Sequence, residues 1–90
     1  MIILDLVLKR HWYDLIKSGE KKCEYREIKE YWTRRLFARP YTHVRFRRSY
    51  TRESMLFELA KIEISSSRND LNLPKVYKIA LGVRVAEKKG

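Results

Sequence analysis

The sequence is poor in cysteine, glycine and proline, and it has no long hydrophobic run. It contains one cysteine, Cys23, three glycines and two prolines in 90 residues. One cysteine excludes an internal disulfide and is typical of the reducing cytoplasm. No apolar segment approaches the roughly 20 residues that cross a bilayer, and the first residues lack the basic region and cleavage site of a signal peptide. We therefore expect one cytoplasmic domain over residues 1–90, with no membrane partner.

Acidic residues are absent between Tyr31 and Arg52, where seven arginines and six aromatic residues occur instead. The whole chain carries a net charge of +10 with a pI near 10. A charge of this size favours a polyanionic partner, most often nucleic acid. Arginine suits this partner because its planar guanidinium pairs with phosphates and stacks on bases. The alternative interpretation is an ordinary solvated basic surface.

Hydrophobic periodicity predicts five strands and two short helices. Alternation with a period of two predicts strands, and apolar positions three and four apart predict helices. The predicted strands cover 2–8, 22–28, 43–50, 54–65 and 76–87, and the helices cover 10–19 and 30–37. The apolar parity of the fourth strand changes near Leu59 and Ala60, which indicates a bulge. In the last strand, the residues expected on one buried face are Tyr77, Ile79, Leu81, Val83 and Val85.

This element order predicts an α+β fold: a small five-stranded pseudo-β-barrel with its two short helices near the N-terminus. Strands that are apolar on one face can close into a barrel that removes its edges, with the helices covering the ends. An open α+β sheet is the competing architecture.

The stretch "SGEKKCEYR" concentrates polar residues after the first helix. Gly19 suits the left-handed position at the helix end, and Lys21 is expected in the turn that follows. Glu24 and Arg26 share one face of a strand, about 7 Å apart. We expect Cys23 and Tyr25, on the opposite face, to lie in the core. In a half-buried cleft, Lys21 and Arg26 can hold a phosphate or carbonyl, and Glu24 can accept a base's amino hydrogens or act as a general base.

The same stretch resembles the glycine-x-lysine-x-x-glutamate-x-arginine signature of the ASCH domain, a branch of the PUA-like β-barrel superfamily. Gly19, Lys21, Glu24 and Arg26 match its four positions. The resemblance implies a PUA-like pseudo-barrel with a cleft between the first helices and the sheet, and an RNA-related role. Some relatives hydrolyse an acyl group from a modified cytidine nucleoside with a lysine and a threonine nucleophile. Here the threonine position is Glu24, and a carboxylate cannot replace an activated hydroxyl.

A basic aromatic rim is expected beside this cleft. Trp32 is either core or a stacking surface, and Tyr50, between two arginines, is a comparable candidate. The predicted nucleic-acid-binding set is Lys21, Glu24, Arg26, Trp32, Arg35, Arg45, Arg47 and Tyr50. One cysteine and two separated histidines lack metal-ligand spacing, so we expect neither a metal nor a cofactor.

The sequence therefore favours a module that binds RNA or a nucleotide. The alternative is a hydrolase acting on a modified nucleoside or on RNA, with Lys21 and Glu24 as its catalytic residues. A third hypothesis is an adaptor whose basic face meets an acidic protein; the sequence identifies no protein partner.

Overall fold

A computed structural model describes residues 1–87 of the chain. The elements follow the predicted order: β1 (Ile3–Leu8), α1 (Arg10–Ser18), β2 (Cys23–Glu27), α2 (Glu30–Phe37), β3 (His43–Arg48), β4 (Ser54–Ser65) and β5 (Val76–Val85). The tail beyond residue 87, expected to fray, lies outside the described residues. Within residues 1–87, no helix is both long and apolar enough to cross a bilayer.

The five strands form one mixed sheet in the order β1-β3-β4-β5-β2. β1 runs parallel to β3, and the other three pairings are antiparallel. The sheet curls into a half-barrel, which is compatible with the predicted pseudo-barrel. β1 and β2 lie at opposite ends of the strand order, each paired on one side, so two strand edges remain. The small α+β domain with two helices is confirmed.

The core lies on the concave face of the sheet, against α1. Alternation puts Leu4, Leu6 and Leu8 of β1 on this face. The partners from other elements are Tyr13, Ile16, Leu36, Val44, Phe46, Met55, Phe57, Tyr77 and Ile79. The expected buried face of β5 is wrong at Val83, which is 69% exposed, whereas Val85 is half-buried.

The predicted bulge in β4 is present. The β4–β5 register shifts on both sides of Leu59, between Phe57 and Lys61. Gly82 lies against this irregularity: a Cβ there would come within 3.2 Å of Glu58 Cβ and 3.3 Å of Glu58 O. Glycine fits this point because a Cβ would meet the bulged strand at a tighter distance than ordinary van der Waals contact.

The end of α1 sets the direction of the chain into β2. Gly19 adopts φ 87° and donates its N–H to the Ile16 carbonyl at 3.1 Å. The Lys21 N–H bonds the Leu15 carbonyl at 3.1 Å. A left-handed glycine allows this reversal without a Cβ penalty, and it brings Lys21 back towards the start of β2.

Candidate functional site

A cleft of about 510 Å³ lies between the two edge strands of the sheet. One wall is the β1 segment 5–8, and the other carries Glu24 and Arg26 of β2. Its remaining lining comes from the helices and two loops: Lys9, Trp12, Tyr31, Trp32, Arg35 and Leu71. We call this space the edge cleft. The edge cleft exists because β1 and β2 are not hydrogen-bonded to each other. The space between these two strands is therefore lined by side chains.

Glu24 lies at the centre of the polar cluster and is only 4% exposed. In the β2–β5 register it faces Ile79, a residue with no exposed surface. Its Oε1 lies 3.3 Å from Lys21 Nζ, and its Oε2 accepts a 2.7 Å hydrogen bond from Arg26 Nη1. A buried carboxylate is costly unless it is paired, and here both oxygens have a cationic partner.

Lys21 is enclosed by acidic and aromatic side chains. Its side chain is 9% exposed, and its ammonium contacts both Glu24 and Asp70. The nitrogen also lies 5.3 Å from the Trp12 ring centroid and 4.7 Å from that of Tyr25. Cation–π attraction and the two carboxylates hold the charge in place. Lys21 is not among the residues that line the edge cleft, so it acts there through Glu24.

Arg26 closes the free edge of β2. Its Nη1 donates to the Tyr25 carbonyl at 3.0 Å as well as to Glu24. Its guanidinium carbon lies 4.9 Å from the centroid of the Trp32 ring. Arg35 of α2 donates to the Asp5 carbonyl, which belongs to β1. Arg26 therefore satisfies a carbonyl of β2, and Arg35 satisfies a carbonyl of β1. In a closed barrel, pairing between the two strands would satisfy these groups instead.

The loop between β4 and β5 supplies Asp70 and Leu71 to the site. Asn69, which is buried, organises this loop. Its Nδ2 donates to the carbonyls of Ser67 and Leu73 at 3.0 and 2.8 Å. Its Oδ1 accepts from the N–H groups of Leu71 and Leu73 at 3.0 and 3.3 Å. These four bonds make a compact turn that carries the neighbouring Asp70 to Lys21.

The prediction that Cys23 and Tyr25 lie in the core is wrong. Both are half-buried, and it is Glu24 that shares the face of the buried core residues. Alternation located the two faces of β2 but not which one points inward, since a charged residue occupies the buried position. Contact with Cys23, then burial and the nearby Asp70 and Glu24 carboxylates, raises the pKa of Tyr25 to about 12.

The predicted binding residues divide into two groups. Glu24, Arg26, Trp32 and Arg35 line the edge cleft. Lys21, Arg45, Arg47 and Tyr50 do not line it. Arg45 forms two ion pairs: its Nη2 lies 2.6 Å from Glu87 Oε2, and its Nη1 lies 3.6 Å from Asp5 Oδ1. Arg47 is exposed, and Tyr50 is 91% exposed in the turn after β3.

Sequence reasoning missed three contributors to the site. Trp12 of α1 is half-buried and lines the edge cleft, although its position on the apolar side of the helix is typical of a core residue. Asp70 and Asn69 lie more than forty residues beyond Lys21 in the sequence, and no local pattern links them to it. Among residues 1–87, no group of three or more histidine, cysteine, aspartate or glutamate side chains is arranged to hold a metal ion.

No protein-family model matches the chain, and no match is found among curated proteins or solved structures.

Proposed function

We propose that this protein binds single-stranded RNA or a nucleotide in the edge cleft. The observation that carries the proposal is the composition of that cleft. The buried Glu24–Arg26 pair lies beside both tryptophans of the chain, Trp12 and Trp32. Unpaired bases are recognised by stacking on aromatic or guanidinium planes together with hydrogen bonds to their edges. The edge cleft offers both kinds of contact.

The charge around the cleft supports a polyanionic ligand. Lys9 and Arg35 line its mouth, and exposed Arg47 extends the positive surface beyond it. Exposed Tyr50 provides a second stacking surface at the β3–β4 turn. In this arrangement a base enters the edge cleft while phosphates lie on the surrounding cations. Arg45 contributes less, because Glu87 and Asp5 already neutralise it.

We also propose that the chain is an ASCH-like domain and that its half-barrel has the PUA-like fold. The support is the convergence of the signature positions. Gly19 reverses the chain after α1, which brings Lys21 to Glu24, and Glu24 in turn binds Arg26. A signature conserved for a ligand site is expected to converge in this way, whereas four solvated residues would not.

The proposal is tested by titrating a fluorescently labelled single-stranded RNA and measuring its anisotropy at two salt concentrations. We expect binding at about 50 mM salt that weakens steeply as salt rises, because each neutralised phosphate releases counterions. Arg35→Gln removes a cation of the edge cleft. Arg34→Gln is its matched control, because Arg34 is the preceding residue on the same helix and is paired with Glu30.

Arg35→Gln is expected to weaken binding more than Arg34→Gln and to reduce the salt dependence. The absence of binding at about 50 mM salt would exclude the proposed function. Equal effects of the two substitutions would instead place the RNA outside the edge cleft. Retention of the protein on an acidic protein but not on RNA would favour the adaptor hypothesis.

A second candidate function is hydrolysis of a modified nucleoside or of RNA. The observation that favours it is the placement of the Lys21 ammonium between two carboxylates, Glu24 and Asp70. In this reaction Glu24 would activate water, and Lys21, which does not line the edge cleft, would act through its contact with Glu24. Chromatography of acylated cytidine and of RNA after incubation tests it. Product formation that is lost in Glu24→Gln would support this function, and product formation indifferent to that substitution would exclude the assigned roles.

A further inference from the structure

The guanidinium of Arg26 has one terminal nitrogen, Nη1, fully engaged by the protein, and the edge formed by its other two nitrogens has no protein partner among residues 1–87. A guanidinium carries five N–H donors. The two on Nη1 go to Glu24 and to the Tyr25 carbonyl, at 2.7 and 3.0 Å. The Nε–H and the two Nη2 hydrogens make no hydrogen bond with residues 1–87. The free edge, Nε and Nη2 together, is a fork of two parallel donors.

The state of Nε indicates that this edge serves a ligand. Nε is buried and lacks a hydrogen-bond partner among residues 1–87. Such groups are rare in folded proteins because the lost hydration is not replaced. Arg26 lines both the edge cleft and an adjoining cleft of about 330 Å³, and Trp32 lines the same two spaces. Because Nε is buried, a ligand reaches it only after a neighbouring side chain moves, and Trp32, whose ring centroid lies 4.9 Å from the guanidinium carbon, is adjacent to it.

The chemistry of the bases limits what this fork can bind. Two parallel donors need two neighbouring acceptors in one plane. Guanine presents O6 and N7 side by side, whereas adenine presents an acceptor next to an amino donor. Uracil also alternates acceptors and a donor along its edge. Cytosine has neighbouring acceptors at N3 and O2, but O2 adjoins the glycosidic bond. The Arg26 side chain is only 16% exposed, which leaves little room for a ribose attached beside the contacting atoms and disfavours cytosine.

The geometry points to guanine as the base that the edge cleft selects, with Arg26 donating through Nε and Nη2 to N7 and O6. This inference rests on the proposed function and specifies its ligand. Glu24 and the Tyr25 carbonyl fix the orientation of the guanidinium by occupying both hydrogens of Nη1. The pair is therefore oriented before the ligand arrives, which lowers the entropic cost of binding.

Short RNAs of sequence U-U-X-U-U test the inference, with guanine, cytosine, adenine, uracil or 7-deazaguanine at X. Anisotropy at about 50 mM salt measures each affinity. We expect guanine to bind about ten-fold more tightly than adenine or uracil. The 7-deaza base, which lacks only the N7 acceptor, is expected to lose most of this preference. Because this comparison uses the unaltered protein, it does not depend on whether a variant folds.

Arg26→Lys provides the second comparison. Lysine keeps the positive charge beside Glu24 but has no planar fork, so the ratio of guanine to adenine affinity is expected to fall to about one. Arg34→Lys, outside the edge cleft, is the matched control and should keep the ratio. A circular dichroism melt verifies that both variants are folded.

The remaining outcomes separate the two levels of the proposal. Equal affinities for guanine and adenine, a preference for cytosine, or a guanine preference that survives in Arg26→Lys would each overturn the guanine assignment. Loss of RNA binding on addition of inorganic phosphate, without any base preference, would assign the Arg26 fork to phosphate and also overturn it. If none of these RNAs binds at low salt, the proposed function itself fails.

Discussion

The Glu24 carboxylate accepts a hydrogen bond of 2.7 Å from Arg26 Nη1, two residues further along the same strand, on the buried face of the sheet. The Cα atoms of residues two apart in a strand lie about 7 Å from each other. The Glu24 and Arg26 side chains must therefore bend towards each other to make this contact. The contact places a charged pair where a closed barrel would have apolar packing. Its position at the free edge of β2 is what gives the edge cleft a polar wall.

Glu24→Gln should destabilise the protein. The substitution leaves the buried cations of Lys21 and Arg26 without their shared carboxylate, and removing one partner of a buried ion pair costs about 3–5 kcal/mol. Glutamine keeps the size and part of the hydrogen bonding, so we expect a smaller loss than this range, about 2–3 kcal/mol. Urea unfolding followed by circular dichroism measures the change.

Glu27→Gln is the matched control for this prediction. Glu27 lies on the same strand but is exposed, with its carboxylate 3.5 Å from Lys29. An exposed pair contributes about 0–1 kcal/mol. Similar unfolding midpoints for Glu24→Gln and Glu27→Gln would show that the charged pair does not stabilise the fold.

Asn69→Ala should loosen the loop 66–75 that carries Asp70. The substitution removes the acceptor and the donor of four hydrogen bonds within the loop. We expect a loss of about 2 kcal/mol of stability and faster proteolytic cleavage in this loop. Mass spectrometry of limited-digestion products locates the cleavage. Ser66→Ala, at an exposed position of the same loop, is the control, and equal cleavage rates in the two variants would contradict the role assigned to Asn69.

Tyr13→Phe should change the stability at alkaline pH. Burial, then the negative charge of Glu53, raises the pKa of Tyr13 to about 12. In the unfolded chain the Tyr13 phenol titrates near 10. The folded protein therefore holds this proton more tightly than the unfolded chain does, and the protonated phenol favours folding relative to the ionised one. This contribution is complete below pH 10 and is lost as the pH rises towards 12, by up to about 2–3 kcal/mol. The phenylalanine variant lacks this loss.

Denaturant unfolding of both proteins at several pH values tests the Tyr13 prediction. At neutral pH the variant should be at least as stable as the original protein, because the buried Tyr13 hydroxyl has no hydrogen-bond partner within residues 1–87. Tyr50→Phe, at an exposed position, serves as control and should keep the alkaline loss. An equal alkaline loss in Tyr13→Phe would assign the effect to other groups.

The element order could be predicted from the sequence because each element has a clear period. β1 alternates over its whole length, and Gly19 marks the end of α1. The parity change at Leu59 located the bulge of β4 correctly. These signals are local: they depend on neighbours within a few residues along the chain.

The parts that could not be predicted depend on long-range contacts. Glu24 takes a buried position that hydrophobicity assigns to Tyr25, because Lys21 and Arg26 neutralise its charge there. Asp70 reaches Lys21 only through the turn that Asn69 organises. Val83 belongs to an apolar stripe, yet it is 69% exposed among residues 1–87.

The tryptophan indole groups provide the most direct measurement of the central claim, that a nucleic acid ligand enters the edge cleft. The chain has two tryptophans, Trp12 and Trp32, and both line this cleft. Two-dimensional NMR resolves their indole N–H signals during titration with U-U-G-U-U RNA. We predict that both signals shift saturably, with the same affinity that anisotropy reports. RNA binding that leaves both indole signals unchanged would contradict the account, because the ligand would then lie on the basic surface outside the cleft.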